Sequence, residues 1–202
     1  MIIWLASYPK SGNTWVRSFL SSLIYKKDGT ADLNAMPISQ YPLRSHFKGL
    51  VSEFDNINLL SEKWISSQDF LNLDNKIKFF KTHHVMCNFG KNSFTNYENT
   101  FGVIYIVRDP RKIILSYANH SQITLSESLK RLIELRTIGG LNDNQNQSVT
   151  HVGSWSTNYH SWKEFNKVGK YLLIKYEDLI SKPEDNLKLI LEFISKITNT
   201  KL

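Results

Sequence analysis

The chain carries one cysteine, Cys87. An internal disulfide is therefore impossible, and so is a cluster of thiolate ligands. A lone thiol fits a reducing compartment, and Cys87 is expected to be a small, partly buried packing residue. The apolar runs are short. None approaches the roughly 20 residues an apolar helix needs to cross a bilayer, and the N-terminus lacks a charged and apolar leader pattern. A cytoplasmic protein without membrane contact is the expectation. No internal repeat and no low-complexity tract is found. The histidines show no H-E-x-x-H spacing, so no metal site is expected. G-x-S-x-G is missing, which disfavours a Ser-His-Asp hydrolase. G-x-x-x-x-G-K-[ST] is missing too, which disfavours ATP or GTP hydrolysis on a Walker lysine.

What remains is an ordinary globular composition over 202 residues, enough for one domain, 1–202, with a proper core. The net charge of +7 and a pI near 9.4 suit an anionic partner. The cations are spread without a block, and no basic helix carries base-reading residues, so nucleic acid is not expected.

Four apolar runs read as strands: Ile2–Ala6, Ile77–Lys81, Val103–Val107 and Tyr171–Lys175. Helical patterns alternate with them. Such alternation argues for an α/β protein with a central parallel sheet flanked by helices. Trp15, Phe19 and Leu23, with Val16, Leu20 and Ile24, give the first helix a wide apolar stripe. Asp109-Pro110 caps and opens a helix towards Asn119. Leu125, Leu129, Leu132 and Ile133 mark a helix over 126–135. Ser181-Lys182-Pro183-Glu184 reads as a capping box for a last helix with Leu187, Ile190, Leu191, Ile194 and Ile197 on one face. Residues 27–75 are irregular, anchored by Trp64 and Phe70, and 139–150 reads as a mobile loop.

The most informative stretch lies directly behind the first strand. Ser7-Tyr8-Pro9-Lys10-Ser11-Gly12-Asn13-Thr14-Trp15 combines a tight turn, a cation, a glycine and hydroxyls at a helix start. Free backbone N–H groups and the positive end of the helix dipole suit that turn to an anion, and an ordinary strand-to-helix turn with a surface lysine is the rival of equal weight. Lys81-Thr82-His83-His84 ends the second strand. Alternation puts Lys81 and His83 on one face and His84 on the other. A histidine there can take a proton from a hydroxyl, and a structural Lys-His pair is the rival. Arg108, ending the third strand, can grip a phosphate or pair with Asp109 or Asp178. Ser116 lies about two turns into the next helix. Tyr176 follows the fourth strand, with Glu177 and Asp178 placed to hold loops.

Taken in order, Tyr8 to Trp15, then Lys81-Thr82-His83, then Tyr105 to Pro110 with Ser116-Tyr117, then Tyr176 to Leu179, the chain resembles cytosolic-type sulfotransferases that use 3′-phosphoadenosine-5′-phosphosulfate (PAPS). The resemblance covers nearly the whole chain and implies a P-loop NTPase-like architecture. It implies that Lys10, Ser11, Gly12, Asn13, Thr14 and Trp15 surround the 5′-phosphosulfate, with Lys10 at the bridging oxygen. It implies Arg108 and Ser116 on the 3′-phosphate, Tyr176 near the adenine, His83 as general base and Lys81 beside the sulfuryl oxygens. The reaction implied moves a sulfuryl group from PAPS to a hydroxyl or amine of a small-molecule or glycan acceptor, without a metal. Asn13 stands where many members have Thr. Members also continue to a basic, glycine-containing loop that completes the 3′-phosphate and adenine site, and none is found before Leu202. A non-catalytic nucleotide-binding or interaction protein on the same scaffold is one rival reading, and an atypical small-molecule kinase is another. Residues 27–75 and 120–155 are expected to form the acceptor pocket, with Tyr41, Phe47, Trp64 and Trp155 as an apolar wall, though a core role explains each aromatic equally well. The pattern carries no signal for oligomeric state.

Overall fold

The computed structural model describes residues 1–26, 36–140 and 146–200. Strand β1 (Ile2–Ser7) turns into helix α1 (Asn13–Ser21), which runs on as a π-helical stretch over Ser22–Lys26. A short strand β2 (Ser39–Gln40) and helices α2 (Ile57–Ser61) and α3 (Trp64–Asn72) precede β3 (Lys78–Thr82). A small hairpin of β4 (Asn88–Phe89) and β5 (Asn92–Ser93) leads to β6 (Thr100–Val107), α4 (Pro110–Ser121) and α5 (Leu125–Ile133). A second hairpin, β7 (Thr137–Ile138) with β8 (Thr150–His151), is followed by α6 (Trp155–Trp162). The described chain closes with β9 (Tyr171–Lys175), α7 (Tyr176–Ser181) and α8 (Pro183–Thr198).

The main sheet has the order β2-β3-β1-β6-β9, and every pairing in it is parallel. All four expected strands are in it. The fifth, β2, lies inside the segment read as irregular, which also holds α2 and α3. Two residues of strand carry no period, so β2 left no signal.

Alternation along β1 sorts the core into two layers. Ile2, Trp4 and Ala6 join Phe80, Val103 and Tyr105 on one face, where Trp64 and Trp162 pack against them. Ile3 and Leu5 join Phe79, Ile104 and Ile106 on the other, beneath Val16, Leu20, Ile190 and Ile194. A strand covered on both faces must be apolar throughout, which is why β1 reads as an unbroken run. Trp4 buries its indole and still donates Nε1–H to Thr100 Oγ1 at 3.0 Å.

Several local expectations need correction. Trp15 and Leu23 are surface residues, 39% and 43% exposed, so α1 buries a narrower stripe on Val16 and Leu20. On α5 Leu132 is buried, while Leu125, Leu129 and Ile133 stay exposed. The start of α5 is a capping box between Thr124 and Glu127. Phe70 is exposed, whereas Trp64 is fully buried. Ser181 does not cap α8. It ends α7 and donates its hydroxyl to Asp178 O at 3.5 Å, so Lys182 takes the cap position without a side-chain bond. The stretch expected to be a mobile loop falls partly outside the described residues, at 141–145. Of its flanks, Ser45 N–H donates to Asn146 Oδ1 at 3.0 Å, and Val149 N–H donates to Phe54 O at 2.8 Å.

From β1 the chain moves outward to β2 and β3, then returns to the other side of β1 with β6. That reversal opens a crevice at the carboxyl ends of the central strands, the usual ligand position in open parallel sheets. Ile104 lies fully buried in β6 beside this centre. Ile104→Ala is expected to cost about 2–5 kcal/mol, read as a lower urea midpoint at unchanged slope. A loss below about 1 kcal/mol would contradict this packing.

Candidate active site

The turn after β1 depends on two left-handed residues, Lys10 at φ 67° and Gly12 at φ 88°. Gly12 occupies the N-cap position of α1, and no acidic side chain sits in the first turn. The first backbone N–H groups of α1 have no partner within the helix. Gly12 is required for a second reason. A Cβ there would lie 2.3 Å from Cδ2 of Tyr176.

The Tyr176 ring meets Gly12, and the Arg108 guanidinium lies over that ring, with Cζ 4.4 Å from its centroid. Arg108 Nη1 donates to Lys10 O at 2.8 Å. The rival ion pair of Arg108 with Asp109 or Asp178 is not formed. Asp109 instead binds Arg111 at 2.6 Å and caps α4 by accepting from Arg111 N–H. Glu177 holds a loop, as read from the sequence, by accepting Asp109 N–H at 3.0 Å. Arg108 Nε is buried with no partner, as is the hydroxyl of Ser11. Both can donate a hydrogen bond.

His83 follows β3, and its Nδ1 lies 2.8 Å from Ser7 O. A carbonyl only accepts, so Nδ1 carries the proton and Nε2 keeps its lone pair. Burial, then the charge of Lys81, holds the ring pKa well below 6.5. Asn13 fixes the same spot from α1. Its Nδ2 donates to Leu5 O at 2.8 Å and to Ser7 Oγ at 3.1 Å. The side-chain donors of Asn13 are thus engaged with β1. Lys81 Nζ donates to Gln40 Oε1 at 2.7 Å, and burial, then Arg17, lowers its pKa to about 7. His84 faces the opposite way, stacked on Phe94 at 3.9 Å.

Lys10, Gly12, Asn13, Thr14, His83 and Arg108 line one crevice of about 530 Å³ together with Ser116 and Tyr176. Of the remaining sequence-derived residues, Ser11 lies buried beneath it, Trp15 sits at the surface and Lys81 stands behind it. No Asp or Glu is among the lining residues. Pro9, Tyr117, His120 and Ile138 also line it and were not singled out as site residues. Helical spacing was a signal for His120, four residues beyond Ser116 on α4. The expected apolar acceptor wall is not there. Tyr41, Phe47 and Trp64 are fully buried in the core, and Trp155 lines a separate cavity with Leu129 and Ile133. Among the described residues no group of three or more His, Cys, Asp or Glu could hold a metal ion, and no helix is long and apolar enough to cross a membrane.

The model of the sulfotransferase domain matches residues 2–201. This chain belongs to the sulfotransferase family. It is 24% identical over 196 residues to Arabidopsis thaliana cytosolic sulfotransferase 7, covering 95% of this chain and 55% of that protein. It is 22% identical over 199 residues to human sulfotransferase 2A1, covering 95% and 58%. The chain thus spans a little over half the length of these relatives. Mouse sulfotransferase SULT7A1 complexed with PAP matches with a TM-score of 0.53 at 19% identity, over 95% of this chain and 57% of that one. Retinol dehydratase in a complex with retinol and PAP matches with a TM-score of 0.57 at 13% identity, over 98% and 62%. The fold is therefore the P-loop NTPase-like fold of sulfotransferases.

Two tests follow for this family member. Gly12→Ala is expected to destabilise by about 1 kcal/mol or more, from strained φ and the clash with Tyr176. Adding Tyr176→Ala should recover part of that loss in a double-mutant cycle. Strict additivity would place the ring elsewhere. The second test concerns pH. Burial lowers the pKa of His46 to about 4 and of His84 to about 3, against 6.5 for a free histidine. Below 6.5 the unfolded chain takes up protons that the folded chain refuses. The urea midpoint should therefore fall between pH 7 and pH 5. An equal or higher midpoint at pH 5 would mean that these rings are not held neutral.

Proposed function

We propose that this chain is a sulfotransferase that moves a sulfuryl group from PAPS to an acceptor hydroxyl or amine. One observation carries the reading. Lys10, the N-terminus of α1, His83, Arg108 and Ser116 converge on one crevice lined by no carboxylate. When bound, PAPS supplies an activated sulfuryl group with the 3′,5′-bisphosphate (PAP) as leaving group. Lys10 and the N–H groups of Gly12, Asn13 and Thr14 hold the 5′ end, and the unpartnered donors of Ser11 and Arg108 fit such an anion. Arg108 and Ser116 hold the 3′-phosphate, and Tyr176 flanks the adenine. Trp15 acts by packing at the loop's outer edge.

The acceptor's proton goes to His83 Nε2, the free nitrogen of a ring already anchored through Nδ1. Lys10 supplies fixed positive charge where the leaving group gains negative charge, and Lys81 adds to it from behind. The name of a relative, flavonol 3-sulfotransferase, and the retinol bound in a neighbouring structure support a small-molecule acceptor, with a glycan as the alternative class.

Calorimetric titration with PAP is expected to show saturable binding, and Arg108→Ala should weaken it about tenfold or more. His83→Ala should retain PAP binding while transfer from labelled PAPS falls by about 10²–10⁴. No PAP binding at about 1 mM would remove the donor assignment, and full transfer by His83→Ala would remove the base. A chain that binds PAP but transfers to no acceptor would be a binding protein on this scaffold.

A further inference from the structure

Donor binding, as read above, accounts for Lys10 and Arg108. It leaves a second group of cations gathered around Tyr117. There the crevice wall is Tyr117, His120 and Ile138. Two guanidinium groups lie over the Tyr117 ring, Arg136 at 4.9 Å and Arg131 at 5.6 Å from its centroid. Arg136 Nη2 donates to Tyr117 Oη at 2.8 Å. Arg136 is fixed from behind as well. Its carbonyl accepts N–H bonds from Val152 at 2.9 Å and Gly153 at 3.2 Å, which pins it at the foot of the β7–β8 hairpin.

Arg136 is half-buried, yet among the described residues no carboxylate pairs with it, and its Nε is a buried donor without a partner. A desolvated cation without a counter-ion is costly to keep. Its field reaches His83. Because Tyr117 Oη accepts from Arg136, the phenol's own proton is left free to donate, and Tyr117 lines the crevice. The imidazole of His120, three residues further along α4, stands beside it.

We propose that Arg136, acting through Tyr117 in the wall beside His83, selects acceptors that carry an anionic group close to the reacting hydroxyl or amine. A carboxylate held there takes the Tyr117 O–H bond and supplies the counter-ion that Arg136 lacks among the described residues. The inference rests on the sulfotransferase reading and deepens it. Arg136 is a positioning residue in this scheme, and Tyr117 is the group in contact with the acceptor.

Transfer from labelled PAPS to two matched acceptor pairs tests it: 4-hydroxybenzoate against 4-hydroxybenzamide, and methyl β-glucuronide against methyl β-glucoside. The anionic member of at least one pair should be preferred about tenfold or more in kcat/KM. Arg136→Met should bring that ratio to about one by raising KM for the anionic member. Arg136→Lys should retain most of the preference, and Tyr117→Phe should lose much of it. PAP affinity, measured on each variant, shows whether the donor site is still folded. Equal use of both members, turnover of neither, or an unchanged ratio in Arg136→Met overturns the inference while leaving PAP binding standing. Failure of the unaltered chain to bind PAP removes the donor reading, and this inference with it.

Discussion

The contact on which the site depends is the stack of Gly12, the Tyr176 ring and the Arg108 guanidinium. These residues follow β1, β9 and β6, which are not consecutive in the chain. A side chain at position 12 would occupy the space of the ring, and the backbone there adopts a conformation that glycine reaches without strain. Arg108 then closes the arrangement by bonding the carbonyl of Lys10. The loop that presents Lys10 is thus held from the ends of β6 and β9. Its cation, the start of α1 and the guanidinium occupy fixed places before any ligand arrives. Preorganised charge of this kind is what transfer of an anionic group requires.

The sheet sets the scale of that arrangement. The chain leaves β1 in one direction and returns on the other side, so the loops after β1, β3 and β6 meet over one crevice. His83 is tied to β1 through Ser7, and Asn13 ties α1 to the same residue. His83 and the Lys10 turn therefore share one anchor. A shift of the first would displace the second. The buried strand ends that fix this geometry belong to two apolar layers, one dominated by Trp4, Trp64 and Trp162 and the other by aliphatic side chains from α1 and α8.

Much of this was legible in the sequence. The unbroken apolar runs of the buried strands announced four of the five strands of the main sheet. The Lys10–Trp15 stretch, His83 and Arg108 stood out because each directly follows such a run. Other features gave no readable signal. Strand β2 has two residues and pairs only with β3, so its existence is a tertiary fact. Trp155 and Tyr41 looked equally suited to a pocket or a core, since an aromatic residue does not declare which side of a wall it faces. Asn13 looked like a ligand donor, but its amide is engaged by Leu5 and Ser7, a contact between residues on different elements. The Arg136–Tyr117 pair joins a hairpin to a helix, and only the folded chain brings the two together.

The central claim is that the turn after β1 cradles the 5′ end of the donor and that the guanidinium and hydroxyl on the β6 side take the 3′ end. Amide chemical-shift mapping by NMR during a titration with PAP tests it most directly. The account predicts that the largest shifts cluster at residues 10–14, 108, 116 and 176 and saturate together. Shifts centred instead on the separate cavity around Cys87, Tyr97 and His160 would contradict it, as would a spectrum that PAP leaves unchanged.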